Sequence, residues 1–292
     1  MNSNRICGIV VTYHPIPEHL DNIRTLRSQV DQVIVVDNAS NADEVEGLRS
    51  LQAELALILV ENHENMGIGY ALNQGVRWAL EHDYKWINTF DQDSCVTEGY
   101  MRAMIEDFEQ LATEMPLGLL VPRYRDPLTG EFRRFRTEGH LGPFVTITSG
   151  SLFPADVIRT CGPFVEELFM YGIDDEYSLR LRQRGFEIAQ SKKALLLHLD
   201  GESRVVRGFG RELFTVTNHS ALARYYANRN RFWLIRRYAR SYPLWCMRLA
   251  LDGVKETVKI VAAERQKRIK LVRIFQGIKD GMFGRTGKTH LS

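Results

Sequence analysis

The first ninety residues alternate between short apolar runs and stretches whose apolar residues recur at helical spacing, and this alternation constrains the fold more than any other feature. Residues 6–12 (ICGIVVT) are almost wholly apolar, as a strand covered on both faces requires. The following stretch, 17–29, carries Leu20, Ile23 and Leu26, with Val30 just beyond, at the spacing of a helix with one buried stripe. Residues 33–36 read as a second buried strand, 45–51 as a helix and 55–60 as a third strand. Residues 73–81 read as a helix with Val76 and Leu80 four apart, and 86–90 as the next strand. Such alternation predicts βαβ units and an α/β fold whose mainly parallel sheet has helices on both faces. Ligands of such sheets sit beyond the carboxyl ends of the strands.

Polar residues cluster at those predicted ends. Thr12 and Tyr13 follow the first strand, Asp37, Asn38, Ala39 and Ser40 the second, and Asp91, Gln92, Asp93 and Ser94 the fourth. Two carboxylates one residue apart at a strand tip suit a divalent cation and the phosphates it neutralises. Asp, Gln and Ser are also ordinary turn and cap residues, so each loop alone has a plain structural reading. Three such loops on one rim favour a nucleotide diphosphate site.

Further along, Asn65 to Asn73 (NMGIGYALN) is a Gly-bearing loop that opens a helix. Small residues at Gly67, Gly69 and Ala71 allow close backbone approach, and a helix N-terminus favours an anion. The spacing is not the GxGxxG dinucleotide fingerprint. From residue 119 to 199 the pattern is less regular. Turns are expected at 126–130 and 139–143, and a strand at 144–148 running into Ser149, Gly150 and Ser151. Helices are expected at 156–160 and 177–184, the latter closed by Gly185. Asp174, Asp175 and Glu176 open that last helix; acids there complement the helix dipole, and one of them could serve as a general base. His198 follows a short strand at 195–197, and reads either as a metal ligand or as a satisfied histidine.

Composition is ordinary for a globular chain of 292 residues, with 44% hydrophobic and 25% charged residues. Cys7, Cys95, Cys161 and Cys246 are scattered without a CxxC pair, which points away from zinc and disulfide frameworks toward a reducing compartment. The N-terminus lacks a signal-peptide pattern, and no run of about 18 apolar residues predicts a spanning helix. Charge is distributed unevenly: residues 1–200 carry 18 Lys and Arg against 30 Asp and Glu, and residues 201–292 carry 20 against 6. The expected organisation is a domain over 1–200, with a nucleotide-sugar half at 1–118 and an acceptor and catalytic half at 119–200, followed by a basic helical region at 201–292. Basic residues there interleave with Trp233, Leu244, Trp245 and Val258, as in helices that lie in a membrane interface. A homo-oligomer contact is the competing use. No nucleic-acid recognition motif is visible, so no nucleic-acid partner is expected.

Taken in order, these pieces resemble the inverting glycosyltransferases of family two, which have the GT-A fold. The resemblance rests on Thr12 and Tyr13, VVDNAS at 35–40, NxGxGxAxN at 65–73, DQD at 91–93, SGS at 149–151 and DDEYSLRLRQRG at 174–185. It extends to the bacterial dTDP-L-rhamnose-dependent rhamnosyltransferases through RYYxxRN, here Arg224 to Asn230. The resemblance implies that Thr12, Tyr13, Asp37, Asn38, Asn65, Gly67, Gly69, Asn73, Asp91 and Gln92 bind the nucleotide sugar. It implies that Asp93 and His198 hold Mg2+ or Mn2+, that Ser149, Gly150 and Glu176 meet the acceptor, and that the base is Asp174 or Asp175. The implied reaction moves L-rhamnose from dTDP-β-L-rhamnose to a saccharide or polyprenyl-diphosphate-linked saccharide in cell-surface polysaccharide synthesis. The implied place is the cytoplasmic face of the inner membrane, with the basic region on its anionic surface. The competing expectations are a UDP-hexose-dependent transferase of the same fold, and a nucleic-acid- or membrane-binding protein with an inactive transferase domain.

Overall fold

The computed structural model describes residues 4–133, 135, 144–198, 204–208 and 211–289. The turn expected at 139–143 and the boundary expected at residue 200 lie outside the described residues. The chain divides into two compact units, one of Met1–Val165 with Asp174–Leu199 and the other of Glu166–Ile173 with Asp200–Ser292.

In the first unit, β1 (Ile6–Thr12), β2 (Gln32–Asp37), β3 (Ile58–Glu61) and β4 (Trp86–Asp91) pair in parallel. They are joined through α1 (Pro17–Arg27), α2 (Ala42–Leu55) and α3 (Ile68–Glu81). Val33 to Val36 are fully buried, as expected of a strand covered on both faces. Helix α3 lies directly on β1 because residue 75 is glycine: a Cβ there would meet Ile9 Cγ2 at 2.5 Å.

The sheet continues through β5 (Cys95–Val96), β6 (Leu117–Arg125), β7 (Ser151–Pro154) and β8 (Glu187–Leu197), with strand order β3-β2-β1-β4-β7-β6-β8-β5. Here the pairing is mixed. β7 runs antiparallel to β4 and β6, β5 antiparallel to β8, and β6 parallel to β8. Helices α4 (Tyr100–Ala112), α5 (Ala155–Cys161) and α6 (Ile173–Gln183) complete the chain order. The strand expected at 144–148 is not formed. Thr146 N–H bonds Ser178 Oγ, Thr148 N–H bonds Asp174, and Gly150 turns the chain at φ +76° into β7. Backbone donors spent on side chains cannot also join a strand ladder.

The second unit holds a hairpin of β9 (Arg204–Gly208) and β10 (Arg211–Val216), then α7 (Ala221–Tyr238), α8 (Pro243–Ala263) and α9 (Lys267–Met282). Ser220 caps α7 by accepting from Ala223 N–H. The RYYxxRN segment lies on α7 and turns inward. Arg224 and Lys270 converge on the buried carboxylate of Glu264 at 2.6 and 2.8 Å. Arg229, 1% exposed, donates to the carbonyls of Leu168 and Gly287. Asn230 donates to those of Leu168, Met170 and Tyr171. These bonds hold a segment with left-handed backbone at Phe169, Tyr171 and Gly172, a costly conformation that fixed donors make tenable.

Helices α7 and α9 approach closely through Gly277 and Gly281, whose positions lie against the carbonyls of Tyr225 and Arg229. Gly277→Val is expected to lower stability by about 2 kcal/mol through overpacking. A thermal melt checks it, and an unchanged Tm would contradict so close an approach.

Candidate active site at the strand ends

Register aligns the rim. In β1 and β2, Thr12 stands opposite Asp37, and in β1 and β4, Val11 stands opposite Asp91, so the polar ends of three parallel strands share one edge. Thr12 Oγ1 and Ser40 Oγ both donate to Asp37 Oδ1, and Ser40 N–H donates to Oδ2, which holds this 1% exposed carboxylate in place. Tyr13 is exposed just beyond.

Beyond β4 the chain turns, with Ser94 N–H donating to Asp91 C=O. Antiparallel pairing of Cys95 with Leu197 then brings His198 back from 104 residues away. His198 Nδ1 shares a hydrogen bond with Ser94 Oγ at 2.9 Å and lies 3.5 Å from Asp93 Oδ1. Asp91, Asp93 and His198 each place one ligand atom within 4.8 Å of the others. Asp93 Oδ1 is buried without a hydrogen-bond donor. A buried acceptor of this kind beside a second carboxylate and an imidazole is the donor set that Mg2+ or Mn2+ fits, the imidazole suiting Mn2+ better.

Asp174 comes to the same place from the first turn of α6. Its Oδ1 accepts from Thr148 Oγ1 at 2.6 Å and Thr148 N–H at 3.1 Å. Burial raises its pKa above the ordinary carboxylate range, against the opposing pull of the Thr148 bonds and of the charges on Arg133 and His198. Asp91, the last residue of β4, is exposed at the strand tip. Desolvation by crowding protein, followed by the negative charges of Asp93 and Asp174, pushes it up to about 8. Asp91 therefore senses the other two carboxylates, and that repulsion is what a bound cation would relieve. Asp175 is partly buried in the same turn.

Several residues expected to touch ligand are committed to the scaffold instead. Asn73 is 4% exposed and pairs its carboxamide with both N–H and C=O of Phe164, so α3 uses it to dock a loop rather than to meet a nucleotide. Glu176 is fully buried against Arg180 at 2.7 Å, which removes it from an acceptor. Ser149 is 2% exposed, with Oγ accepting from Asp91 N–H and sharing a bond with Ser94 Oγ. Gly150 is buried, and a Cβ there would strike Leu196 and the Tyr100 hydroxyl. Both support the Asp91 turn rather than face solvent. The side chain of Gln92 clamps the backbone of Tyr13, accepting from its N–H and donating to its C=O. Asn38 donates to Asn65 Oδ1 and accepts from Met66 N–H and Asn62, holding the loop that enters α3. Asn65 also accepts from the N–H of Gly67, whose φ is +89°, and Gly69 is buried in the first turn of α3. Ser94 was expected only as part of the polar strand tip and Thr148 only as a strand residue, and their bonds to His198 and Asp174 come from the tertiary structure.

The Glycosyl transferase family 2 model matches residues 8–160, which include β1 to β4, the DQD turn and the SGS segment. This chain belongs to glycosyl transferase family 2. As a family-two glycosyltransferase it is 28% identical, over 98% of both chains, to the dTDP-rhamnosyl transferase RfbF of Shigella flexneri. Among solved structures, the mannosyltransferase PcManGT of Pyrobaculum calidifontis, in complex with GDP-Man and Mn2+, superposes with a TM-score of 0.57 at 16% identity. That match covers 96% of this chain and 87% of the other. S. aureus TarS gives a TM-score of 0.54 at 15% identity over 96% of this chain, which spans only 43% of the TarS chain. These two likenesses establish the GT-A-like fold.

Asp93→Ala is expected to weaken Mn2+ binding by tenfold or more, roughly what loss of one ligand implies from the sensitivity of metal sites to their support. Titration calorimetry with the metal alone checks this, and unchanged affinity would remove Asp93 from the site.

Proposed function

We propose that this glycosyltransferase transfers L-rhamnose from dTDP-β-L-rhamnose, with inversion, to a hydroxyl of a saccharide or polyprenyl-diphosphate-linked saccharide during cell-surface polysaccharide assembly. The observation that carries the reading is the convergence of Asp91, Asp93, His198 and Asp174 at the carboxyl ends of the strands. The donor assignment is supported by the near-full-length similarity to a protein named as a dTDP-rhamnosyl transferase.

Asp174 is the general base in this reading. Thr148 fixes one carboxylate oxygen, and the raised pKa makes the group a stronger base than an ordinary aspartate. It takes the proton of the acceptor hydroxyl as that oxygen attacks the anomeric carbon opposite the departing diphosphate. A single displacement of this kind yields an α-L-rhamnoside from the β-linked donor. Asp93 and His198, with Asp91 beside them, would hold Mg2+ or Mn2+, which would supply Lewis-acid stabilisation of the leaving nucleoside diphosphate. Thr12, Tyr13 and Asp37 border the nucleotide base in this reading, and Asn38, Asn65 and Gln92 shape the loops around it. The lipid-linked acceptor places the enzyme peripherally on the cytoplasmic face of the inner membrane. No helix among the described residues is long and apolar enough to cross a bilayer.

Three measurements test this. Asp174→Asn should reduce turnover at least about 1,000-fold, within the usual range for a lost acid-base group, with donor affinity nearly kept. In the parent enzyme, kcat/KM should fall on acidification through a pKa above the ordinary aspartate range, because protonation removes the base. A mutant with near-normal turnover would sink the assignment. A donor-hydrolysis panel with and without Mn2+ should favour dTDP-L-rhamnose, and preference for a UDP-hexose would overturn the donor.

A further inference from the structure

Helix α8 buries Trp245, Cys246, Gly253 and Ile260 within the second unit, so its opposite face is turned outward. On that outward face stand Leu244, Met247, Leu251, Val254, Val258 and Val261, each between 51% and 63% exposed. Their spacing alternates three and four residues over about 25 Å of helix, a continuous apolar stripe rather than scattered surface residues. Soluble helices normally bury such a stripe.

The charges beside it decide what covers it. Written as a heptad, the stripe occupies the two seam positions. One flank carries Arg248 and Lys255, and the other carries Ala250 and Thr257. A second copy of α8 in parallel would set those cations against Ala and Thr. An antiparallel copy would set them against each other. Neither arrangement offers the opposite-charge pairs that specify a coiled coil. Lys255 already shares its charge with Asp252 at 3.0 Å, and residues 201–292 still hold 20 basic side chains against 6 acidic ones. Helix α9 adds outward-facing Ile269, Val272 and Phe275 among Lys267, Arg268 and Arg273. An apolar stripe flanked by cations, on a helix too polar overall to span, matches an anionic bilayer surface.

We infer that the Leu244–Val261 stripe of α8 is a membrane-docking face that inserts into the headgroup boundary of an anionic bilayer, with the basic side chains along α8 and α9 adding attraction to its negative surface. This rests on the membrane position in the proposed function and gives it a specific surface.

Flotation of the full chain with phosphatidylcholine vesicles, with and without phosphatidylglycerol, tests it. The protein should float with the phosphatidylglycerol vesicles at low salt and be released at high salt. Leu251→Asp with Val258→Asp should abolish flotation. Arg248→Gln with Lys255→Gln, which leaves the apolar face intact, should weaken it roughly 30-fold. Circular dichroism melts establish that each variant is folded. Hydrolysis of dTDP-L-rhamnose should be unchanged in both variants, so a failure here is separable from a failure of the donor assignment. Absence of flotation, or flotation equal to the parent by the Asp variant, would overturn the inference. So would a dimer seen in sedimentation equilibrium that the Asp variant dissociates, since a second copy would then occupy the stripe.

Discussion

Strand β4 is the constraint on which the site depends. It is bonded on one side in parallel to β1 and on the other antiparallel to β7. The first pairing aligns its acidic end with the ends of β1 and β2. The second sets Thr89 opposite Ser151, which brings Ser149 against Asp91 N–H and Thr148 close enough for Thr89 Oγ1 to donate to its carbonyl. A slip of one residue along either partner would turn every side chain of β4 to the opposite face.

Electrostatics then works against the scaffold and for the chemistry. Desolvation raises the proton affinity of Asp91 and of Asp174, and at Asp91 the negative charges of Asp93 and Asp174 add to it. Two features limit that effect. His198 is held beside Asp93 through Ser94, and Thr148 directs two donors at one oxygen of Asp174. What remains without a hydrogen bond is Asp93 Oδ1, which lies 3.5 Å from His198 Nδ1. Glycosyl transfer expels a diphosphate, and a site with surplus negative charge and an empty acceptor is suited to a cation that offsets the leaving group.

Local pattern carried much of the fold. The buried runs at β1, β2 and β4 and the helical spacing of α1 and α3 were legible because their apolar residues answer to a nearby, regular environment. Helix α4 was not among the expected elements, although Tyr100, Met104 and Phe108 recur four apart on its buried face. The segment at 144–148 misled because Val and Thr favour strands, and nothing local reveals that Ser178 and Asp174 claim its backbone. Asn73, Ser149 and Glu176 were read as ligand contacts from their motifs. Each is a polar side chain whose partner lies four to ninety-one residues away, and polar type alone does not say whether that partner is protein or ligand.

The sequence by itself determined the α/β class, the polar strand tips, the family resemblance and the concentration of positive charge in the last ninety residues. These depend on composition and short-range period, which need no coordinates. Only the tertiary structure decided that His198 stands beside Asp93, that Asp174 rather than its neighbours is gripped by Thr148, and that α8 turns one apolar stripe outward while burying another. Those outcomes depend on strand pairing and helix packing across long stretches of chain, where a side chain's role is set by which distant group reaches it first.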